Sequence, residues 1–375
     1  QTFFISIFNT EIRNYFQLTD GEFGLVYALG TLASSIILVG FAKLIDHMDL
    51  RLYSFIISLG LAMACLGMYL SFDSVLFLFL IVFGLRFFGQ GAMSHAGETT
   101  MARYFGENRG KAISVATIGG QLGVMLLPII AVKLTNLIGW QHLWLAISLS
   151  LVIFFLPLLF FSLSDQSLRH FNFTENTKNL DQHNKLKTRD VILDKKFYLY
   201  LPLSIAAPFI STGLMFHQIF IINQKGWTLD MLAKGYIFLG IFSIIGLVFG
   251  GPIIDKYNTK KIVIYTLFPL FLAVLTMLLF DSFFSMLIYL SLLGLNWGIT
   301  SPFIGSLWAE LYSLTSLGTV KALLHACMVF ASALSPVIFG YIIDFFRYKS
   351  IWIWISFFRW LNRWYDNSDI LYKKK

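Results

Sequence analysis

Apolar runs of roughly 20 residues recur along the whole chain, and they constrain its fold more than any other feature. A helix of that length crosses the hydrocarbon core of a bilayer. The composition agrees, because only 13% of the residues are charged, against about 25% in a soluble domain. Most runs lack the charged stripe that would keep one face of a soluble helix in water. The chain is therefore predicted to be an all-α, polytopic membrane protein.

Eleven membrane spans are predicted, and we number them spans 1 to 11 in chain order. They cover the chain start to residue 10, then 22–45, 52–72, 74–99, 112–134, 143–163, 197–222, 232–254, 262–280, 282–307 and 320–343. A last apolar piece, residues 350–358, is too short to cross. The first and last spans are interpreted as truncated, which gives about 11–12 helices. The chain is predicted to divide into an N-terminal helical bundle (1–163), a central loop (164–196), a C-terminal helical bundle (197–358) and a basic tail (359–375).

Basic residues orient the predicted spans. If the chain start is cytoplasmic, the inner loops hold more than twice as many lysines and arginines as the outer loops. This bias is typical of cytoplasmic loops, and it places the central loop inside the cell. The net charge of +8 is then explained by topology, and no nucleic-acid partner is expected. We expect a multi-pass protein of the cell (inner) membrane.

Three pairs of landmarks indicate an internal repeat. Each pair is about 208 residues apart and occupies matching positions in the two halves of the span order. The pairs are Asp46 and Asp255, Gly91 and Gly298, and Pro128 and Pro336. Two six-helix bundles in the same orientation, related by a pseudo-two-fold axis, are a transporter architecture with its site near the midplane.

The turn GPIIDKYNTKK, residues 251–261, resembles the loop between the second and third helices of the major facilitator superfamily. The matching residues are Gly251, Asp255, Lys256 and Lys260. The first-half copy, AKLIDHMDLR, keeps Asp46 and Arg51 but has alanine in place of the glycine. RFFGQG, residues 86–91, is similar to the family's fourth-helix signature with shifted spacing, and to its monocarboxylate-type branch.

The resemblance implies a secondary transporter that works by alternating access, without a cofactor and as a monomer. Asp46 and Asp255 would belong to gating loops that make and break weak contacts in each cycle, because a carboxylate near an exposed helix N-terminus gains only about 0.3–1 kcal/mol. Proton coupling and a small organic anion as substrate are our interpretation. The neighbouring positions Arg51, Gly251, Lys256 and Lys260 are assigned to the same gating loops.

Arg86 is the most informative single residue because it lies in the middle of span 4. An arginine at bilayer depth costs at least ~2.5–3.5 kcal/mol on insertion scales, so it faces a cavity or a partner. One interpretation is a buried pair with a carboxylate on another span. The other is a cavity cation that holds an anionic group or responds to nearby protonation, and the resemblance favours this one.

Further polar residues inside the spans complete the candidate substrate and coupling site. Gln90, His95 and Glu98 follow Arg86 on span 4, and Glu98 is either a protonatable site or an interfacial residue. His217 in span 7 is a candidate proton relay or substrate contact, or else a helix–helix hydrogen bond. Asn296 and Trp297 in span 10 are candidates for a cavity wall. No metal site is expected, since the two cysteines have no ligand spacing.

Other functions remain as alternatives. An exporter of drug-like amphipathic compounds is the rival within transport, although Leu127 before Pro128 leaves the exporters' fifth-helix signature incomplete. A truncated carrier without function is a second alternative. An intramembrane enzyme would need a nucleophile and a base at one depth, and the scattered polar residues do not suggest this.

Overall fold

The structure is a computed structural model that describes residues 2–46, 48–104, 109–163, 188–256, 263–312 and 317–346. Within those ranges the chain consists of helices joined by short turns, with no strand. Nine of the helices in these ranges are long and apolar enough to cross a bilayer. The all-α prediction is therefore confirmed for these residues. Most of the predicted central loop, the short last apolar piece and the basic tail lie outside the described ranges.

Each predicted span corresponds to one or more helical segments of the structure. The first half contains Thr2–Ile5, Ser6–Phe8 and Asn9–Phe16 (span 1), Asp20–Phe41 (span 2), Leu50–Leu70 (span 3), Val75–Gly84, Leu85–Ala92 and Met93–Tyr104 (span 4), Arg109–Ile138 (span 5), and Trp140–Ser150, Leu151–Phe155 and Leu156–Ser162 (span 6). A short helix, Thr188–Leu193, lies within the segment predicted to be the central loop. The second half then contains Lys195–Phe216 and Gln218–Lys225 (span 7), Leu229–Lys256 (span 8), Val263–Leu267 and Phe268–Leu279 (span 9), Phe283–Leu311 (span 10) and Leu317–Phe346 (span 11).

Polar caps start several spans at the positions where the apolar runs begin. Thr19 and Glu22 form a capping box at the start of span 2, and Asp49, Asp194 and Ser282 accept backbone N–H bonds at the starts of spans 3, 7 and 10. These side chains satisfy N–H groups that have no partner within the helix. Turns between spans can be short: Gly139 alone separates spans 5 and 6, and Gly226 to Thr228 separate spans 7 and 8, where Gly226 adopts a left-handed conformation.

Span 7 differs from the prediction of one continuous helix. It ends at Phe216, His217 forms a turn, and a second helix begins at Gln218. The break frees the Phe216 carbonyl oxygen, which accepts a hydrogen bond of 3.1 Å from the amide of Asn9 in span 1. A partner on another helix thus compensates for the lost helical bond, which hydropathy alone does not reveal.

Two main hydrophobic clusters form the interior. One is drawn from spans 1 to 6, with Phe216 and Ala233 joining it, and the other from spans 7 to 11, with Val124 joining it. Large apolar side chains also point outward, as in Ile36, Phe161 and Phe284, which are 73%, 81% and 74% exposed. Such a surface suits lipid rather than water. The domain boundaries at residues 163, 196 and 358 stay a prediction.

Contacts between the clusters involve spans 1 and 7, 2 and 11, and 5 and 8. Spans 2 and 11 approach closely: a Cβ atom added to Gly24 would lie 2.5 Å from the carbonyl oxygen of Pro336. Another added to Gly340 would lie 2.5 Å from the carbonyl oxygen of Asp20. The two backbones therefore touch at the end of span 2 that is predicted to be outer, and the two halves are closed there.

Candidate functional site

A π-helix places Arg86 and Gln90 together in the middle of span 4. Residues Leu85–Ala92 adopt this wider form, which is rare and concentrates at functional sites. The guanidinium Nη1 of Arg86 donates to the side-chain oxygen of Gln90 and, over 3.3 Å, to the hydroxyl of Thr2. Its carbon lies 5.2 Å from the ring centre of Tyr27. Spans 1, 2 and 4 thus hold the cation jointly.

Every polar partner of Arg86 in the described part of the chain is uncharged. The residue is only 8% exposed, yet no described carboxylate lies within ion-pair distance. The predicted alternative of a buried pair with a carboxylate on another span therefore finds no support among these residues. A buried positive charge without a counter-charge favours the approach of an anion.

A cavity of about 320 Å³ adjoins this cation. Thr2 and Gln90, the two hydrogen-bond partners of Arg86, line it on one side, and Ser211 and Trp297 line it on the other. It therefore lies between spans 1 and 4 of the first half and spans 7 and 10 of the second. The position agrees with the midplane site expected of a carrier with two related halves.

A second cavity of about 300 Å³ continues from the first. The two share Pro208, Ser211 and Trp297, and we call them together the central cavity. Asn296 and Thr300 line only the second part, so they lie on the side away from Arg86. The structure thus brings four predicted site residues together. Gln90, Asn296 and Trp297 line the central cavity, and Arg86 lies behind the lining, bonded to Gln90.

His217 lies elsewhere, in an outer network that we define as Arg13, Asp20, His217 and Asp344. Asp20 pairs with Arg13 over 3.0 Å and contacts the Nδ1 atom of His217 over 3.6 Å. His217 Nε2 donates to the carbonyl oxygen of Pro336 over 3.0 Å. This network links spans 1, 2, 7 and 11 at the closed end.

Asp344 contributes to the outer network as a cap supplied by another helix. Its carboxylate accepts the backbone N–H of Gly21 over 2.8 Å and that of Asp20 over 3.3 Å, at the start of span 2. A negative charge there also suits the positive end of the helix dipole. The void beside His217 measures about 30 Å³, about a tenth of either part of the central cavity, and His217 lines neither of those parts.

Of the two remaining span 4 candidates, the structure describes the side chain of His95 only, and the described lining of the central cavity does not include it. His95 is partly buried, and its Nδ1 atom lies 3.5 Å from the hydroxyl of Thr99 one turn later. Glu98 lies on the helix Met93–Tyr104, and its side chain is outside the described part of the structure. Their roles as coupling residues stay predictions.

The predicted gating residues lie at the opposite ends of the spans. Arg51 Nε donates to the carbonyl oxygen of Leu163 over 2.6 Å, which ties span 3 to the end of span 6. Asp46 ends the turn Ala42–Asp46, and Gly251, Asp255 and Lys256 lie in the last turns of span 8. The side chains of these four residues are outside the described set, as is the whole of Lys260, so their gating role stays a prediction.

Sequence reasoning missed several residues of these sites. Thr2 and Tyr27 hold Arg86, and Arg13, Asp20 and Asp344 build the outer network. Asp20 had a visible signal, since it lies inside the capping sequence Thr19 to Glu22, but that pattern indicates only a helix start.

Near the ends of the spans that are predicted to be cytoplasmic, Tyr312 donates to Asp194 over 3.0 Å. Burial raises the pKa of the Tyr312 hydroxyl, so this hydroxyl stays protonated.

The model of the Major Facilitator Superfamily matches residues 1–336 of the chain, which is most of its length. The chain belongs to the Major Facilitator Superfamily. It is therefore a transporter of secondary type, not an enzyme, and a multi-pass integral membrane protein. No curated protein shows a detectable match to the chain in sequence.

Solved transporter structures share the fold of this superfamily member. The nucleoside transporter NupG superposes with a TM-score of 0.72 at 12% identity, over 100% of this chain and 97% of its own. A mutant of NupG gives 0.73 at 12% identity, over 98% and 95%. A bacterial homologue of the human lysosomal transporter Spinster, inward-facing and unoccupied, gives 0.63 at 16% identity, over 92% and 79%.

Proposed function

We propose that this superfamily member carries a small organic anion across the cell membrane by alternating access, coupled to protons. The observation that carries the proposal is the Arg86 guanidinium, buried beside the central cavity with uncharged partners among the described residues. A guanidinium offers several N–H donors in a planar fork that suits a carboxylate. A monocarboxylate would supply the missing counter-charge.

The surroundings of Arg86 support reversible binding of such an anion. Gln90 and Thr2 occupy its donors with neutral bonds, which are weaker than bonds between opposite charges. An arriving carboxylate would displace these partners or bind beside them. When it leaves, the neutral bonds form again, so Arg86 is never left without a partner. The site would therefore bind an anion without trapping it.

Alternating access is supported by the closed outer end. Spans 2 and 11 touch there, and the outer network adds polar links between the two halves. Opening that end requires these contacts to separate. The loops with Asp46 and Asp255 would then close the opposite end in their turn, as part of the same proposal.

The geometry of His217 supports a role in proton coupling. Its Nε2 atom carries a hydrogen because it donates to a carbonyl oxygen, so Nδ1 carries none in the neutral ring. The Nδ1 atom faces the Asp20 carboxylate. A second proton on Nδ1 would turn this 3.6 Å contact into an ion pair. Proton uptake would therefore stabilise the closed outer end, as a symporter loading from outside requires. Arg13 and Asp344 are the other charged members of the network.

We expect His217→Gln to separate transport from its driving force. Gln keeps one donor for the Pro336 carbonyl but cannot take a proton, so an inward acid gradient should no longer increase carboxylate accumulation. Exchange of labelled for unlabelled acid without a gradient should persist. The measurement is uptake into proteoliposomes at matched and unmatched pH. His325→Gln is the control, because His325 is exposed on span 11, and it should respond like the original protein.

Uptake of labelled monocarboxylates by the purified protein in proteoliposomes tests the proposed substrate class. We expect saturable uptake that an inward acid gradient increases, compared with protein-free liposomes. Nucleosides serve as the comparison solute, because NupG is named for them and 12% identity carries only the fold. Uptake of nucleosides or of drug-like cations, with no transport of any acid, would refute the anion proposal.

A further inference from the structure

Three polar atoms in the second part of the central cavity have no hydrogen-bond partner among the described residues. They are the hydroxyls of Ser211 and Thr300 and the side-chain oxygen of Asn296. These residues are 5%, 8% and 0% exposed, and all three line the same cavity. Buried polar groups are rarely left without a partner, so three around one space point to a ligand group.

Some hydroxyls of these helices are satisfied locally, whereas those of Thr135 and Ser335 also lack a partner among the described residues and are not part of the central cavity lining. Ser332 donates to the carbonyl oxygen of Val329 over 2.9 Å, and Thr31 donates to that of Tyr27 over 2.8 Å. Such backbone bonds are the usual outcome for serine and threonine inside a helix. Ser211 and Thr300 have no such bond, although both residues line the cavity.

We infer that Ser211, Asn296 and Thr300 form a subsite for a hydroxyl group at the end of the substrate away from its carboxylate. This inference rests on the proposed anion transport. The amide nitrogen of Asn296 donates to the Thr266 carbonyl oxygen over 2.7 Å, which fixes the amide and leaves its oxygen as an acceptor. An acceptor needs a donor on the ligand, whereas the two serine and threonine hydroxyls both donate and accept. A hydroxyl group matches all three.

The rest of the lining defines the body of the ligand. Trp297 lines both parts of the cavity, so its ring borders the path between Arg86 and the subsite. Met215 borders the first part and Met328 the second, and methionine adapts to irregular apolar shapes. The substrate class is a carboxylate with an apolar body and a distal hydroxyl.

Pairs of acids that differ by one distal hydroxyl test the subsite. Hydroxyphenylpropanoate is compared with phenylpropanoate, and a terminal hydroxyhexanoate with hexanoate. Binding to the full chain in detergent is measured by the rise in melting temperature with ligand concentration. We expect the hydroxylated member of at least one pair to bind about 5- to 10-fold more tightly, as one added hydrogen bond predicts.

Ser211→Ala and Thr300→Val remove the hydroxyls at nearly constant volume, and each should reduce the ratio of affinities toward one. Ser332→Ala, which removes a locally bonded hydroxyl, should leave the ratio unchanged. The pairs compared on the unmodified protein decide the question even if a variant fails to fold.

Two outcomes would overturn the inference in distinguishable ways. Equal binding of both members of every pair, with uptake retained, would mean that only water satisfies the subsite, and the anion proposal would stand. If no acid binds or is transported, the anion proposal fails together with the subsite.

Discussion

We expect Arg86→Gln to lower the apparent affinity for carboxylates roughly 100-fold while the protein stays folded. Removing one member of a buried, hydrogen-bonded charge pair costs ~2–5 kcal/mol of binding, and a 100-fold loss corresponds to about 2.8 kcal/mol, in the lower half of that range. Gln keeps a side chain that can bond to Thr2 and Gln90, so the change removes mainly the charge. Affinity is measured by uptake into proteoliposomes and by ligand-induced melting shifts.

Stability separates a binding role of Arg86 from a structural one. An arginine at bilayer depth costs at least ~2.5–3.5 kcal/mol on insertion scales, and a buried cation without a counter-charge has little to offset this. The melting temperature of the empty Arg86→Gln protein should therefore be equal or higher. Lys234→Gln is the control: it removes an exposed positive charge that pairs with Asp230, and it should leave carboxylate affinity unchanged. A less stable Arg86→Gln variant that still binds acids normally would assign Arg86 a structural role.

The second large effect is expected for Gly298→Ala, which should prevent close packing of spans 8 and 10. A Cβ atom on Gly298 would lie 2.0 Å from the carbonyl oxygen of Ser243 and 2.7 Å from the backbone nitrogen of Leu247. Both are backbone atoms, so the helices themselves must move apart. Overpacking usually costs ~1–3 kcal/mol, and a rigid backbone contact belongs at the upper end. The measurement is the yield of monodisperse protein in detergent and its melting temperature.

Gly120→Ala is the matched control because a Cβ atom on Gly120 would meet nothing within 4 Å. It should be as stable as the original protein or slightly more stable, since alanine favours helix over glycine. Gly91→Ala should be milder than Gly298→Ala, although the two glycines are repeat partners. At Gly91 the nearest atom is the end of the flexible Leu38 side chain, at 2.9 Å. Equal melting temperatures for Gly298→Ala and Gly120→Ala would show that spans 8 and 10 are not closely packed.

Much of the fold was readable from local sequence, as particular helices show. Span 3 was predicted at 52–72 and is Leu50–Leu70, because apolar length and the Asp49 cap both act within a few residues. Span 7 was predicted as one helix and is broken at His217. The carbonyl oxygen of Phe216 that the break frees is bonded to Asn9, which lies on another helix. The π-helix around Arg86 was also not foreseen, since span 4 reads as an ordinary apolar helix.

The candidate site also combines residues that the sequence could identify with positions that only the structure could give. Arg86 could be selected from the sequence because the cost of a charge at bilayer depth depends on depth alone. His217 was selected by the same reasoning, but its position in the outer network, away from the central cavity, was not foreseen. The contact between His217 and Asp20 joins spans 7 and 2, and no local pattern specifies which helices meet.

The sequence by itself determined that the chain lies in a membrane and where most of its spans run, and it predicted that the two halves repeat. Those properties follow from hydropathy, span length and residue spacing, which are local to each segment. Only the tertiary structure decided that, among the described residues, Arg86 has uncharged partners and Ser211, Asn296 and Thr300 have polar atoms without a partner around one cavity. Whether a buried polar group has a partner depends on which other helices lie against it, and that is set by packing.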